Sequence, residues 1–338
     1  MAVVSVKDVA ERAGVSVGTV SNVMNHPEKV AHAARARVLA AIDELGFVRN
    51  DAARQLRNGR SRSIGLVVID VRNPFFTDVA RGAEERAAES GLTVLLANSD
   101  ENPSREAAHV DLFEQQKVNG VLISPIGDIT PRLEMLRARG IPAVLVDRAL
   151  ANTSFSSVSV NDIAGGRLAT EHLIEMGRCR IAYLGGPLEL RQVADRLEGA
   201  RQAVAAHPGV TLEVIELEVL SVLSGRAAGT ELATRIERPD AIFAANDLVA
   251  VGVLQSLVMH YPHIDVPTDI ALVGYDDIDF ASSAVVPLTS IRQPATLIGR
   301  TAVEILLNEA SDPSTPPSHV QFQPEIIVRA STATPITD

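Results

Sequence analysis

Apolar residues near the start of the chain fall at helical spacing in short blocks, each bounded by residues that start or stop helices. Val6, Val9, Ala10 and Ala13 form the first block. Ser5 stands where it can accept from the first-turn amides, and Asp8, three residues on, completes a capping-box pattern. Gly14 then supplies the free φ that a tight turn between two helices needs. Ser16 can cap a second helix whose Val20, Val23 and Met24 point back to the first, while Val17, Gly18, Ser21 and Asn22 face away. A third helix is predicted from His32 to Leu45, with Val38, Ala41, Ile42 and Leu45 on one stripe, Arg35 and Arg37 opposite, and a poor cap. Gly46 and Phe47 end it. The segment Asn50 to Arg57, NDAARQLR, places Ala52, Ala53 and Leu56 on one side of only about two turns, too short to persist as an isolated helix.

From Ser63 the period changes. Short apolar runs alternate with amphipathic segments: SIGLVVI, a helix from Phe75 to Ser90, LTVLLAN, a helix from Arg105 to Lys117, GVLIS, a helix from Pro131 to Arg139, IPAVLVD. The pattern restarts after Asn161-Asp162 with a helix from Ile163 to Met176, RIAYLG, a helix from Gln192 to Ala206, LEVIEL, a helix from Gly225 to Arg238, AIFAAND, a helix from Leu248 to His260, and IALVGYD. Such alternation predicts βα units, parallel sheets with helices on both faces, and therefore two doubly wound half-domains. The chain is expected to cross between them near Val160 and Arg292. A last short strand, EIIVR, could join either half. Two lobes joined by several crossings make a hinged clamp whose cleft lies at the carboxyl ends of the strands.

Charge separates these regions. Residues 1–62 carry ten Lys or Arg against six Asp or Glu, a net of +4; the remainder carries 21 against 36, a net of −15, giving the −11 of the whole chain. An acidic body repels DNA and confines contact to the cationic head. The small, acid-free outward face of the second helix suits the major groove. A helical hairpin within some larger domain is the alternative. An apolar Leu56 flanked by Arg54, Arg57, Arg60 and Arg62 suits minor-groove insertion, where a wedge unstacks a base step and cations hold phosphates. A basic linker with an incidental leucine is the plainer reading.

Polar residues also gather at the predicted strand ends: Asn73-Pro74-Phe75-Phe76 after the first strand, Asp147-Arg148 after the fourth, then Arg196, Asn246-Asp247, Asp276-Asp277 and Gln293. Rings that stack on C–H faces, with a surround of donors and acceptors, suit a sugar. Taken singly, each polar residue could equally be a loop cap or surface ion pair. Their shared location is the stronger argument.

VKDVAERAGVSVGTVSNVMN, RVLAAIDELGF, NDAARQLR, and IGLVV followed by NPFF together resemble the lactose repressor (LacI/GalR) family of bacterial transcription regulators, over nearly the whole chain. The resemblance implies a helix-turn-helix DNA-binding domain over 1–49, a hinge helix and linker over 50–62, and an effector-binding and dimerisation domain over 63–338. In that last domain the N-subdomain would take about 63–160 and 293–324, the C-subdomain about 161–292, with 325–329 unassigned. Val17, Gly18 and Asn22 would sit at base-reading positions, with Ser5, Ser16, Thr19, Ser21, Asn25 and Asn50 as further DNA contacts and Ala53 and Leu56 entering the minor groove. The effector domain also resembles the ribose-binding protein, which implies Asn73, Phe75, Phe76, Asp147, Arg148, Arg196, Asn246, Asp276 and Gln293 in an effector pocket. This chain has Asn161-Asp162 where the family usually has Asp-Asn.

The function implied is a repressor of carbohydrate-utilisation genes, binding a pseudo-palindromic operator as a homodimer under control of a sugar-like effector, with no cofactor, metal or membrane. A periplasmic-type sugar-binding protein, a regulator with a nucleobase or protein effector, and a DNA-binding protein with a vestigial sensor are the alternatives. No P-loop, HExxH, Cys-His pairing or dinucleotide turn points to catalysis; Gly185-Gly186-Pro187 opens a loop, and His260 and His263 read as surface loop. The single cysteine, Cys179, excludes an internal disulfide and is expected to be ordinary packing. No apolar run precedes Lys7, so a cytoplasmic, nucleoid-associated protein is expected, and the sequon Asn152-Thr153-Ser154 carries no meaning. The tail ASTATPITD has no leucine heptads.

Overall fold

A computed structural model describes residues 4–47, 61–148 and 154–332. Asn50, Ala53 and Leu56, with Arg54, Arg57 and Arg60, lie outside the described residues, as do Asn152 and Thr153 of the sequon. The chain divides into two compact units, Met1–Ser61 and Arg62–Asp338.

In the first unit, α1 (Val6–Ala13) opens on a complete capping box: Ser5 accepts from the Asp8 amide while the Asp8 carboxylate accepts from the Ser5 backbone. Gly14 closes the helix in the left-handed region at φ 63°. Helix α2 (Val17–Asn25) is capped by Ser16, which accepts from the Thr19 amide at 3.0 Å. A 3₁₀ turn (Pro27–Lys29) leads to α3 (His32–Leu45), whose N-cap Ala31 makes no side-chain bond and whose end is marked by Gly46 at φ 60°. Val9, Ala10, Ala13, Val20, Val23, Val38, Ala41 and Phe47 are buried together, and Met24 packs at their edge. A core of this size depends on every member.

The second unit holds two sheets. The elements of the first are β1 (Ser63–Val68), α4 (Pro74–Glu89), β2 (Thr93–Asn98), α5 (Pro103–Gln115), β3 (Gly120–Ile123), α6 (Thr130–Ala138), β4 (Ala143–Val146) and β5 (Ser157–Val160). The second half continues with α7 (Asp162–Glu175), β6 (Arg180–Gly185), α8 (Arg191–Ala205), β7 (Thr211–Glu216), α9 (Val222–Thr234), β8 (Ala241–Ala244), α10 (Asp247–His260), β9 (Ala271–Asp276), α11 (Asp279–Ser283) and β10 (Thr289–Arg292). Then α12 (Ala295–Ser311) and β11 (His319–Phe322) return to the first half, and β12 (Glu325–Ile327) to the second. The strand orders are β11-β5-β4-β3-β1-β2 and β12-β10-β9-β8-β6-β7. All pairs are parallel except β12 with β10, an antiparallel edge on an otherwise parallel sheet.

Helix packing sets the position of the cleft. A Cβ on Gly166 of α7 would strike the Arg196 carbonyl of α8, and one on Gly199 would strike that of Ile163, so the two helices cross at backbone contact. That contact fixes α8, and with it Gln192 and Arg196, beside the start of α7.

Several expectations change. The predicted helix from Gly225 to Arg238 starts earlier, capped by Ser221, and ends at Thr234 because Arg235 turns to extended backbone. Cys179 is exposed rather than packed: it sits in the turn before β6, its thiol donating to the Gly177 carbonyl at 3.7 Å. Arg62, offered above as a phosphate contact, donates through Nε to the Gly91 carbonyl at 2.9 Å and belongs to the second unit. No helix among the described residues is long and apolar enough to cross a membrane.

Candidate functional site

Each unit carries a candidate site. In the first unit the outward face of α2 carries exposed Val17, Gly18 and Asn22, with Ser21 and Thr19 half-buried. Val17 is 46% exposed. Ser16 serves the cap, with its Oγ also 2.9 Å from the Thr19 hydroxyl. Asn25 donates back to the Ser21 carbonyl at 2.9 Å and lies at the exposed end of the helix. Ser5 is exposed but engaged by Asp8, to whose Oδ2 its hydroxyl donates at 2.8 Å. Arg12 is paired with Glu44, whereas Lys7, Lys29, Arg35 and Arg37 are exposed cations. A neutral, low-relief helix face with cations around it fits a groove lined by phosphates.

In the second unit, Asn73, Phe75, Phe76, Asp147, Arg196, Asn246 and Asp276 line one cleft between the lobes. The carboxyl ends of β1, β4, β8 and β9, the first turn of α4 and the second turn of α8 supply them. Asn73 caps α4 by accepting from the Phe75 amide at 3.1 Å, which turns both rings into the cleft. Phe75 and Phe76 meet edge to face, centroids 5.0 Å apart at 70°. Asn246 caps α10 in the same way, accepting from the Val249 amide. Asp147 (φ 57°) and Asp276 (φ 102°) take backbone conformations that L-residues seldom adopt, a concentration of strain suited to a binding site.

Arg196 is the electrostatic centre. It is 5% exposed, donates from Nε to Asp162 at 2.8 Å and from Nη1 to the Ala245 carbonyl at 2.8 Å, and lies 3.7 Å over the Tyr275 ring. Its Nη2 is 4.0 Å from Asp276. Burial opposes its charge, but Asp162, Tyr275, Asp276 and Asp147 outweigh that and hold it firmly protonated. The carboxyls respond to confinement in the opposite sense. Burial, with Asp162 second, pushes Asp147 up to about 8, and burial likewise raises Asp276.

Three hydrogen bonds, between two pairs of residues, cross the cleft. Asn73 Nδ2 donates to Asp276 Oδ2 at 2.8 Å, and Gln192 Nε2 donates to the carbonyl and to Oδ2 of Asp147, each at 2.9 Å. Gln293 donates to Asp276 Oδ1 at 2.7 Å from behind it and lines a neighbouring cavity instead. Arg148 also stands apart: its guanidinium donates to the Pro125 and Ile126 carbonyls, and it lines a second cavity. The Asn161-Asp162 order has a local explanation. Asn161 caps α7, accepting from the Ala164 amide at 3.1 Å, so the acid falls one residue later, where it meets Arg196. Reading strand ends alone missed Gln192, Leu190, Val193, Asp70, Glu101 and Leu220, which also line the cleft. Gln192 had a signal: it lies one helical turn before Arg196. Among the described residues no cluster of His, Cys, Asp and Glu could hold a metal.

Comparison with known proteins adds independent findings. Residues 5–50 match the family described as bacterial regulatory proteins, lacI family, and residues 170–332 match the periplasmic binding protein-like domain. The ribose operon repressor of Escherichia coli (strain K12) is 35% identical over 332 residues, covering 97% of this chain and 99% of the relative. The HTH-type transcriptional repressor PurR of Photobacterium profundum is 33% identical over 332 residues, covering 97% and 98%. A crystal structure of the lac repressor dimer bound to operator and the anti-inducer ONPF superposes with a TM-score of 0.84 at 28% identity, covering 98% and 99%. A LacI family transcriptional regulator from Enterococcus faecium with bound ribose gives 0.73 at 26%, covering 80% and 98%.

Proposed function

The chain belongs to the lacI family of bacterial regulatory proteins, and from that premise we propose that it represses carbohydrate-utilisation genes, releasing or holding its operator according to a bound sugar. It is a sequence-specific DNA-binding transcriptional regulator with a small-molecule effector, and not an enzyme. Residues 1–49 read DNA through α2, residues 50–62 form the hinge and linker, and residues 63–338 bind effector and dimerise. Two half-sites in a pseudo-palindrome need two reading heads, so the working form is a homodimer, as in the lac repressor dimer on its operator. A protein that works on operator DNA acts at the nucleoid, in the cytoplasm.

The observation that carries the sugar reading is the convergence of Asn73, Asp147, Arg196, Asn246 and Asp276 around two edge-to-face phenylalanines in one cavity. Buried carboxyls and amides there offer both acceptors and donors, and the unpaired buried oxygen Asp147 Oδ1 is suited to a hydroxyl, which can both donate and accept. A relative with bound ribose supports a pentose. The test is a thermal-shift screen of pentoses, hexoses, disaccharides and nucleosides on the full chain, repeated with operator DNA selected from random sequence. A sugar should raise the melting temperature in proportion to ln(1 + [L]/Kd) and change operator affinity; the direction of that change assigns inducer or corepressor. Stabilisation by nucleosides alone would overturn the sugar reading.

A further inference from the structure

We propose that the Gln192–Asp147 hydrogen-bonded pair is a partition that limits the effector to a single sugar ring. The cleft is not isolated: a second, mostly polar cavity adjoins it. The two share two lining residues, and these are Asp147 and Gln192. Gln192 Nε2 is bonded to both the carbonyl and a carboxylate oxygen of Asp147, so the side chains close the gap between the lobes at this point. Both residues are buried, at 6% and 3% exposure.

The second cavity is built to receive polar matter. Arg148, Asn161, Arg191 and Asp195 line it, offering both donors and acceptors of the kind that hold sugar hydroxyls. It has no aromatic pair and so lacks the stacking surface of the first, which makes it an extension and not a rival site. With the partition in place, a ring stacked on Phe75 and Phe76 ends against Gln192. With the amide removed, a second ring could pass beside Asp147 into the outer cavity. Gln192 is therefore a specificity-determining residue, acting by exclusion as much as by contact.

This inference rests on the sugar reading, and the experiment separates the two. The full-length wild-type, Gln192→Ala and Gln192→Ser proteins are tested by thermal shift and calorimetry with ribose and glucose as one-ring probes and cellobiose and sucrose as two-ring probes. The expected result is that wild type responds to a one-ring probe only, and that both variants gain a response to a two-ring probe at least tenfold above wild type. Response of wild type to one- and two-ring probes alike, or folded variants that stay confined to one ring, overturns the partition while leaving the sugar reading intact. Silence of all three proteins towards every sugar overturns the sugar reading and the partition with it. A crystal structure of the Gln192→Ala protein gives a readout free of any ligand: one continuous chamber supports the partition, and two chambers still divided refute it.

Discussion

Asp276→Asn separates binding from folding more cleanly than any other change in the cleft. The substitution keeps the shape of the side chain and tolerates the positive φ at this position, since Asn is among the residues most often found there. Asp276 accepts from Asn73 at Oδ2 (2.8 Å) and from Gln293 at Oδ1 (2.7 Å). An amide has one acceptor, so one of these donors would face a new N–H₂. Gln293 can relieve that conflict, because its Oε1 is buried and unpaired and a flip of its amide presents that oxygen to the new donor. Losing a raised, desolvated carboxyl offsets part of what remains. Folding stability should therefore fall by no more than about 1 kcal/mol, or by about 2–4 °C in melting temperature for a domain of this size. The effector has no such remedy. A hydroxyl that donated to the carboxylate loses a charge-assisted bond of about 1.5–3 kcal/mol, which is a 10- to 150-fold rise in Kd. Calorimetry measures the affinity, thermal unfolding the stability, and fluorescence anisotropy the operator affinity, which should hold at its wild-type value without effector. Effector affinity within twofold of wild type would refute the assignment of Asp276 to the site. Arg196→Ala is a poorer probe, since stripping Asp162 of its buried partner costs about 3–5 kcal/mol and confounds the two readouts.

Asp147 gives a pH signature. With its carboxyl raised to about 8, the free protein holds a proton there that an unfolded chain has lost, so its contribution to stability is best at low pH and declines from the ordinary carboxylate range up to about 8. If an effector hydroxyl donates to the ionised form, binding releases that proton and affinity rises with pH towards about 8, up to tenfold per unit; a flat or falling profile by calorimetry refutes the acceptor role. Asn22→Ala should relax one symmetric base pair of the selected operator, by about 1–3 kcal/mol of discrimination if Asn22 pairs with an adenine edge. Selected operators that keep the wild-type preference at every position would move base reading elsewhere. Leu56→Ala should weaken specific operator binding by up to a few kcal/mol, the scale of base unstacking, with calorimetric sugar affinity unchanged; equal operator affinity removes the wedge.

What was legible in the sequence follows from how local its causes were. Caps at Ser5 and Ser16 and stops at Gly14 and Gly46 are decided by neighbours within one turn, and the helices stand where those residues put them. Buried parallel strands with continuous apolar runs, such as Leu122 and Ile123 in β3, were equally plain. Strand β5 was not, because SVSV alternates serine with valine and yet all four residues are buried, its polar positions satisfied by distant partners such as His319 on β11. β12 was ambiguous for a similar reason: its sheet depends on pairing with Ser290–Arg292, far back in the chain. Within the site, strand-end polarity found the acids and amides, while Gln192 and the outward turn of Arg148 depend on where α8 and the loop at Pro125 come to rest. Spacing alone carries no such information.

The three bonds across the cleft also bound how this clamp can be switched. The Asn73–Asp276 bond and the two Gln192–Asp147 bonds are of the kind worth about 0.5–1.5 kcal/mol each, or up to about 3 where a carboxylate is ionised. Turning a two-state element from 1:99 to 99:1 needs about 5.5 kcal/mol of differential affinity. At neutral-group strength even the three together, up to about 4.5 kcal/mol, fall short of that figure, so closure by these bonds alone leaves the lobes free to exchange. The effector must supply the difference by bridging the same lobes, and the groups available to it are the ones already facing each other: Asn73 and Asp147 from the first, Arg196, Asn246 and Asp276 from the second. A ligand that touches one lobe only stabilises both clamp states equally and shifts nothing, however tightly it binds. The regulator should therefore respond to sugars that present hydroxyls on two opposite edges of the ring, and deoxygenation at either edge should abolish the operator response before it abolishes binding.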